Sequence, residues 1–211
     1  MKIYRKLFCF LLLMPVGVFY SCEEDKLMEE SIDQLFRPAS LTANVDINKV
    51  TLTWVPTGDA YLLELSRDNL LFERDLQSIS IEGTETKYVF DDLWSDSMYS
   101  FRIKALSKDE LIKDSEFNQG TFITGTENIF YGVSVGDIQN NSVLLKWNMI
   151  KEVTKIVVSA AGSSDRTIAL TSSDKLAGQK LIDGLDAGTN YTFKIYNGDM
   201  LRGTISINTN S

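Results

Sequence analysis

The pentapeptide Gly132-Val133-Ser134-Val135-Gly136 sets a serine between two glycines at the spacing of an acyl-transfer nucleophile. Such a serine attacks an acyl carbon once a histidine takes its proton, and it needs a sharp strand-to-helix turn to present its hydroxyl. The 211 residues contain no histidine. Histidine-based proton transfer, histidine metal ligation and the Ser–His machinery are therefore excluded. Ser134 also lies in a segment of alternating polarity, which reads as a first strand rather than an elbow. A second cluster is Asp91, Asp92 and Asp96, whose oxygens are of the kind that bind calcium. The twelve-residue spacing of a calcium loop is missing, so the cluster reads as a solvated acidic turn. No metal, cofactor or catalytic residue is expected.

Trp94 shares that acidic turn. An exposed indole can stack on the apolar face of a sugar ring or anchor a protein partner. Alternatively it folds over its own domain's edge or packs against a neighbouring unit. The other large aromatics belong to elements whose period is two. Lys49 to Trp54 sets Val50, Leu52 and Trp54 on one face, and Ser142 to Trp147 does the same with Val143, Leu145 and Trp147. Tyr99, Phe101, Ile103 and Ala105 point inward, with Ser100, Arg102 and Lys104 outward, and Tyr191, Phe193 and Ile195 repeat the design. With Tyr88 and Phe90 these side chains read as core. No convincing helical period appears after Phe36, so the fold class is all-β.

The chain repeats itself. Val50-x-Leu52-x-Trp54 returns as Val143-x-Leu145-x-Trp147, and the stretch from Leu93 to Tyr99 returns from Leu185 to Tyr191. Units of about ninety residues, each with some seven short strands, fit a tandem of β-sandwiches rather than a solenoid. A leucine closing one strand, a five-residue corner and a tyrosine opening the next resembles the tyrosine corner of the fibronectin type III module, as does the tryptophan on the second strand. The resemblance implies two tandem immunoglobulin-like sandwiches over residues 37–125 and 129–211, joined by a short polar connection near residues 124–129. Immunoglobulin-like sandwiches of another topology are the alternative. The usual corner proline is absent, replaced by Ser95 and Ala187. No Arg-Gly-Asp occurs to support integrin-type adhesion. Asp96-Ser97-Met98 resembles the acceptor triplet for O-glycosylation of exported proteins in some Gram-negative bacteria, which would place a glycan on Ser97.

The first residues decide where these sandwiches work. Lys2, Arg5 and Lys6 precede an apolar run from Leu7 to about Val18, which ends in Ser21-Cys22. The run is about 12 residues, and a bilayer needs about 20, so residues 1–21 read as a secretory signal. Cys22 after Ser21 resembles the acylated cysteine of the bacterial lipobox, although Phe19 and Tyr20 depart from its usual residues. Lipid on Cys22 would leave the exported chain without a free thiol, since Cys9 departs with the signal. Residues 22–36 then form an acidic tether, with Leu27, Met28, Ile32 and Leu35 as an alternative short amphipathic helix. Acidic residues behind the cysteine resemble the signal that sends some Gram-negative lipoproteins to the cell surface.

Loss of residues 1–21 leaves 18 Lys and Arg against 29 Asp and Glu, moving the formal charge from −8 to −11. That balance argues against nucleic acid and anionic membranes as partners. The expected protein is a non-catalytic lipoprotein of the outer membrane or cell surface, anchored by its lipid. Its modules would bind or space something, a glycan in an uptake system or a surface protein. One alternative is a protein–protein adhesion module. Another is the N-terminal spacer of a larger surface protein that continues into a pectate-lyase-like β-helix, because residue 211 falls just after the expected last strand.

Overall fold

The computed structural model describes residues 33–211; the signal segment, Cys22 and most of the tether lie outside the described residues. The alternating segments form strands whose apolar faces meet in two separate cores. The first core gathers Val50, Leu52, Trp54, Tyr61, Leu63, Phe101 and Ile103, all buried. The second gathers Val143, Leu145, Trp147, Ile156, Phe193 and Ile195. No helix among the described residues is long and apolar enough to cross a membrane.

The first module holds β1 (Ala39–Asp46), β2 (Lys49–Val55), β3 (Ala60–Ser66), β4 (Gln77–Glu82), β5 (Lys87–Phe90), β6 (Met98–Leu106) and β7 (Asn118–Ile123). One sheet has the order β1-β2-β5 and the other β4-β3-β6-β7, with antiparallel pairing throughout. The second module has β8 (Val143–Lys146), β9 (Lys155–Ala160), β10 (Arg166–Ala169), β11 (Gln179–Ile182), β12 (Asn190–Asn197) and β13 (Met200–Asn208). Its larger sheet, β10-β9-β12-β13, has the same order as β4-β3-β6-β7. Its smaller sheet is the pair β11-β8.

That smaller sheet departs from the sequence expectation. The first strand of the second module is reduced to bridges between Phe130 and Trp147 and between Ile138 and Val143. Between them the chain bows into a 3-10 turn over Val135–Asp137, with Ser134 as its cap residue rather than a strand position. The Asp137 carboxylate accepts from the Ser134 amide at 3.3 Å and from Lys146 Nζ at 2.9 Å, which fixes the bow. A second departure is the helix α1 (Ser172–Ala177). Thr171 accepts from the Asp174 amide and Asp174 from the Thr171 amide, while Gly178 closes the helix in the left-handed region at φ 62. Six residues are too few to show a 3.6 period, so only the caps announced this helix.

Each sandwich is closed by its corner. Leu93 and Tyr99 are buried, as are Leu185 and Tyr191. The backbone amide of Trp94 donates to the Tyr99 hydroxyl at 3.0 Å, and that of Asp186 to the Tyr191 hydroxyl at 3.0 Å. The phenol accepts, which satisfies an amide that the crossing between sheets would otherwise leave without a partner.

The outward face of β6 is less open than alternation alone implies. Ser100 is fully buried, because the loop from Arg67 to Leu76 folds over it. Its hydroxyl accepts from the Leu70 amide at 2.6 Å and donates to the Asp68 carbonyl at 2.8 Å. Asp68 organises the loop by accepting from the amides of Leu71, Phe72, Glu73 and Arg74 at 2.9–3.2 Å. Desolvation pushes its carboxyl up, but the Glu73 and Arg74 amides, the Ser66 hydroxyl and the Phe72 amide outweigh it. The net result lies well below the usual carboxylate range. Arg102 lies over the rings of Phe72 and Phe117, 4.1 and 4.3 Å from their centroids, and pairs with the buried Glu64.

Two outcomes follow. Tyr99→Phe and Tyr191→Phe should each lower the stability of their own module by about 1–2 kcal/mol, since each leaves a backbone amide unpaired; chemical denaturation of each variant checks this. Asp68 has a folded pKa below its unfolded one, so its contribution is complete above about pH 4 and fades as pH falls below that. Denaturation of Asp68→Asn should accordingly show the variant losing most against the parent at neutral pH and least in acid.

Candidate functional site at the joint between the modules

The stretch from Thr124 to Asn128 looked like a polar connection, yet Thr124 and Glu127 are buried. It is held from both sides. The corner of the first module grips it through Thr124 N–H to Ser97 O at 3.0 Å, Glu127 N–H to Ser95 Oγ at 3.1 Å and Thr126 Oγ1 to Asp96 Oδ1 at 2.7 Å. The turn between β1 and β2 adds Gly125 N–H to Ile47 O at 2.8 Å. The second module grips it through Ile129 N–H to Arg202 O at 2.9 Å and Asn128 Nδ2 to Thr204 O at 3.0 Å. Gly203 makes that approach possible, because a Cβ there would meet Asn128 Oδ1 at 2.5 Å.

At the centre is Arg202, whose side chain is 1% exposed. In the pairing of β12 with β13, Ile195 faces Gly203 and Tyr196 faces Leu201, so Arg202 is the extra residue of a β-bulge. A bulge re-aims a side chain. Here it sends the guanidinium toward the first module, where Nη1 donates to Glu127 Oε2 at 3.0 Å and Nη2 to Asp92 Oδ2. Glu127 Oε1 accepts from Asn48 Nδ2 at 3.0 Å, and Lys151 reaches Asp92 Oδ1 at 3.1 Å. Lys151 also lies 4.0 Å from Asp91 and 3.9 Å from Glu127. The hydrogen bond from Arg202 holds the Asp92 carboxyl below its usual value against the opposing pull of desolvation, with Lys151 adding to the effect. Arg202 is raised despite burial, by Asp92 and Glu127.

The three aspartates that suggested an acidic turn are thus engaged by cations and hydroxyls. Asp92 pairs with Arg202 and Lys151, Asp91 faces Lys151, and Asp96 accepts from Thr126. Comparison of the two corners shows what this engagement costs. Asp92 and Asp96 have φ of 61 and 48, and their counterparts ninety-two residues on are Gly184 and Gly188, at 66 and 61. Both corners need left-handed backbone at the same two positions. Glycine adopts it freely, whereas aspartate does so at some expense. The corner beside the joint carries carboxylates because they have partners there.

Of the other sequence-singled residues, Trp94 is half-buried, with the Arg67 guanidinium 3.8 Å above its ring and Arg67 held in turn by Asp75 at 2.7 Å. One indole face is therefore covered by the first module itself. Ser97 is half-buried, and its hydroxyl donates to the Ser95 carbonyl at 2.9 Å. Cys22 lies outside the described residues. A depression of about 910 Å³ opens at the far end of the first module beside Gly58, Leu106 and Ile112. Arg202 and Lys151 escaped sequence reading because a bulge and a loop, neither visible as a period, bring them to the joint.

The ion-pair cluster predicts a specific thermodynamic signature. Arg202→Met and Glu127→Gln should each be destabilising, Arg202→Met by about 3–5 kcal/mol, because each leaves a buried charge unmatched. The double variant should cost less than the sum by about 1 kcal/mol or more, measured as a double-mutant cycle by chemical denaturation. Asp92→Gly should behave differently, relaxing left-handed strain while removing a partner of Arg202. Its first module should remain as stable as the parent's, read by amide exchange, while the joint loosens.

No protein-family model matches the chain, and no curated protein does. Among solved structures it is similar to a segment of two fibronectin type III domains from chicken tenascin, at 17% identity over 83% of this chain and 99% of that one, with a TM-score of 0.45. It is also similar to single domains of this type from Drosophila Lar (16% identity, 44% of this chain, 98% of that one, TM-score 0.37) and human collagen XX (17%, 44%, 93%, TM-score 0.36). The chain's own strand orders, its paired tyrosine corners and its buried strand tryptophans make the fold two tandem fibronectin type III-like β-sandwiches.

Proposed function

We propose that this protein is a non-catalytic, lipid-anchored spacer and binding protein of a Gram-negative cell envelope, acylated on Cys22 and displayed from the outer membrane. The observation that supports it best is the joint. A buried guanidinium shared between the linker and the first module's corner makes one stiff body of two sandwiches. A stiff body of this kind holds a binding surface at a set distance from its anchor, whereas a flexible pair of domains would not.

Glycan capture is the finer part of this reading. Trp94 can offer a sugar only the ring face that Arg67 leaves uncovered, so recognition there would combine stacking with the polar groups of Arg67 and Asp75. Adhesion to a surface protein is the other use of the same modules, and the spacer role holds equally within a longer protein. A glycan on Ser97 would have to compete with the hydroxyl's present bond to Ser95.

Two measurements test the proposal. Mass spectrometry of the exported protein should find acyl chains on Cys22, and Cys22→Ser should shift the protein from membrane to soluble fractions. Equal partition of the two forms would rule out the anchor. Titration against plant and host polysaccharides should show binding that falls at least tenfold in Trp94→Ala; no binding, or no change, would remove the glycan part and leave the spacer.

A further inference from the structure

We infer that the end of the first module where the chain enters it is a lipid-docking face, resting on a phospholipid surface of net-neutral headgroups through Phe36 and Leu111. The inference builds on acylation of Cys22. Phe36 is 71% exposed and Leu111 86% exposed. Neither belongs to a loose tail. The entering chain forms a two-rung ladder with the loop between β6 and β7, Leu35 N–H to Lys113 O at 3.0 Å and Lys113 N–H to Asp33 O at 2.8 Å. The Phe36 carbonyl accepts from Thr57 Oγ1 at 2.8 Å. The tip carrying Leu111 is set by its own amide on Asp109 Oδ1 at 2.9 Å and by Ile112 N–H on Asp109 O at 3.1 Å. Leu111 thus lines a depression together with Leu35, Leu106 and Ile112, and the Phe36 backbone is tied to its rim at Thr57.

Scattered exposed apolar residues on a soluble protein need no explanation. These two are set apart by the length of chain before them. Cys22 precedes Asp33 by eleven residues, which span at most about 40 Å when fully extended. An acylated Cys22 therefore keeps this end within roughly one bilayer thickness of the lipid. Confinement on that scale corresponds to a millimolar effective concentration, at which a weak apolar contact is well populated. Charge selects the kind of surface. Asp59, Asp109 and Glu110 outnumber Lys108 around the depression, so anionic headgroups would be repelled and neutral ones tolerated. The stiff joint then projects the second module away from the membrane.

The test uses the full exported chain, acylated by its host and reconstituted in phosphatidylcholine–phosphatidylethanolamine vesicles, with an environment-sensitive thiol probe at Leu111→Cys or, as control, at Ser163→Cys in the turn between β9 and β10. The expected result is blue-shifted emission at position 111, quenched by nitroxide-labelled lipid, with position 163 remaining in water. Phe36→Ser should weaken the shift at 111, and doping with phosphatidylglycerol should reduce it. If Cys22 carries acyl chains and the probe at 111 still reports water, the docking face is refuted while the anchor stands. A blue shift without quenching by lipid would mean contact with another protein copy and would equally refute it. If Cys22 carries no acyl chain, the anchor falls and the docking face with it.

Discussion

A guanidinium removed from water has to be matched by carboxylates held in fixed geometry, because the desolvation of an unmatched charge costs several kcal/mol. Arg202 is in that position, and its partners come from elsewhere in the chain: Glu127 from the connection and Asp92 from the first module's corner. Separating or rotating the modules would leave either the cation or a carboxylate stranded. A buried ion pair of this kind is a weak source of net stability, since an apolar contact of the same shape would hold as well. What it provides is direction, because the planar fork of arginine accepts its partners in few orientations. The joint is therefore best understood as fixing an angle.

The corner next to the joint carries two duties. Leu93 and Tyr99 close the sandwich from inside, while Asp92, Ser95, Asp96 and Ser97 hold the linker and Arg202 from outside. The second corner closes its sandwich and holds the segment after β13, through Thr209 N–H to Thr189 O at 3.0 Å, but its two left-handed positions are glycines. The same backbone shape thus has two sequence solutions. Ile47 belongs with the aspartates: a β-branched residue at φ 53 in the turn between β1 and β2, where its carbonyl receives the Gly125 amide. Strained backbone persists where surrounding contacts determine it, and three such residues gather at this one joint.

Much of the fold was legible because it rests on period and repetition. Alternation around Trp54 and Trp147 gave the strands, and the doubled spacing from leucine to tyrosine gave two sandwiches. What escaped rests on polar side chains. The first strand of the second module alternates in sequence, yet the pairing of Asp137 with Lys146 bows it into a 3-10 turn around Ser134. The outward serine of β6, Ser100, is buried because a loop organised by the Asp68 carboxylate folds over it. Arg202 reaches the joint through a bulge, which is an interruption of period. Ser100 and Arg202 are polar side chains whose partners lie far along the chain, and such pairings leave no local signature; the bow rests instead on short-range bonds of Asp137 that override an alternating pattern. The glycine-for-aspartate exchange between the corners was readable in advance, as a difference between two otherwise equivalent stretches.

If a matched buried charge fixes the angle between the modules, they must move as one body in solution. Backbone ¹⁵N relaxation of the soluble chain from Asp33 onward measures this directly, by fitting a rotational diffusion tensor to each module separately. The tensors should coincide in size, anisotropy and orientation. Two smaller, independent tensors, with fast motion across residues 124–129, would contradict the account.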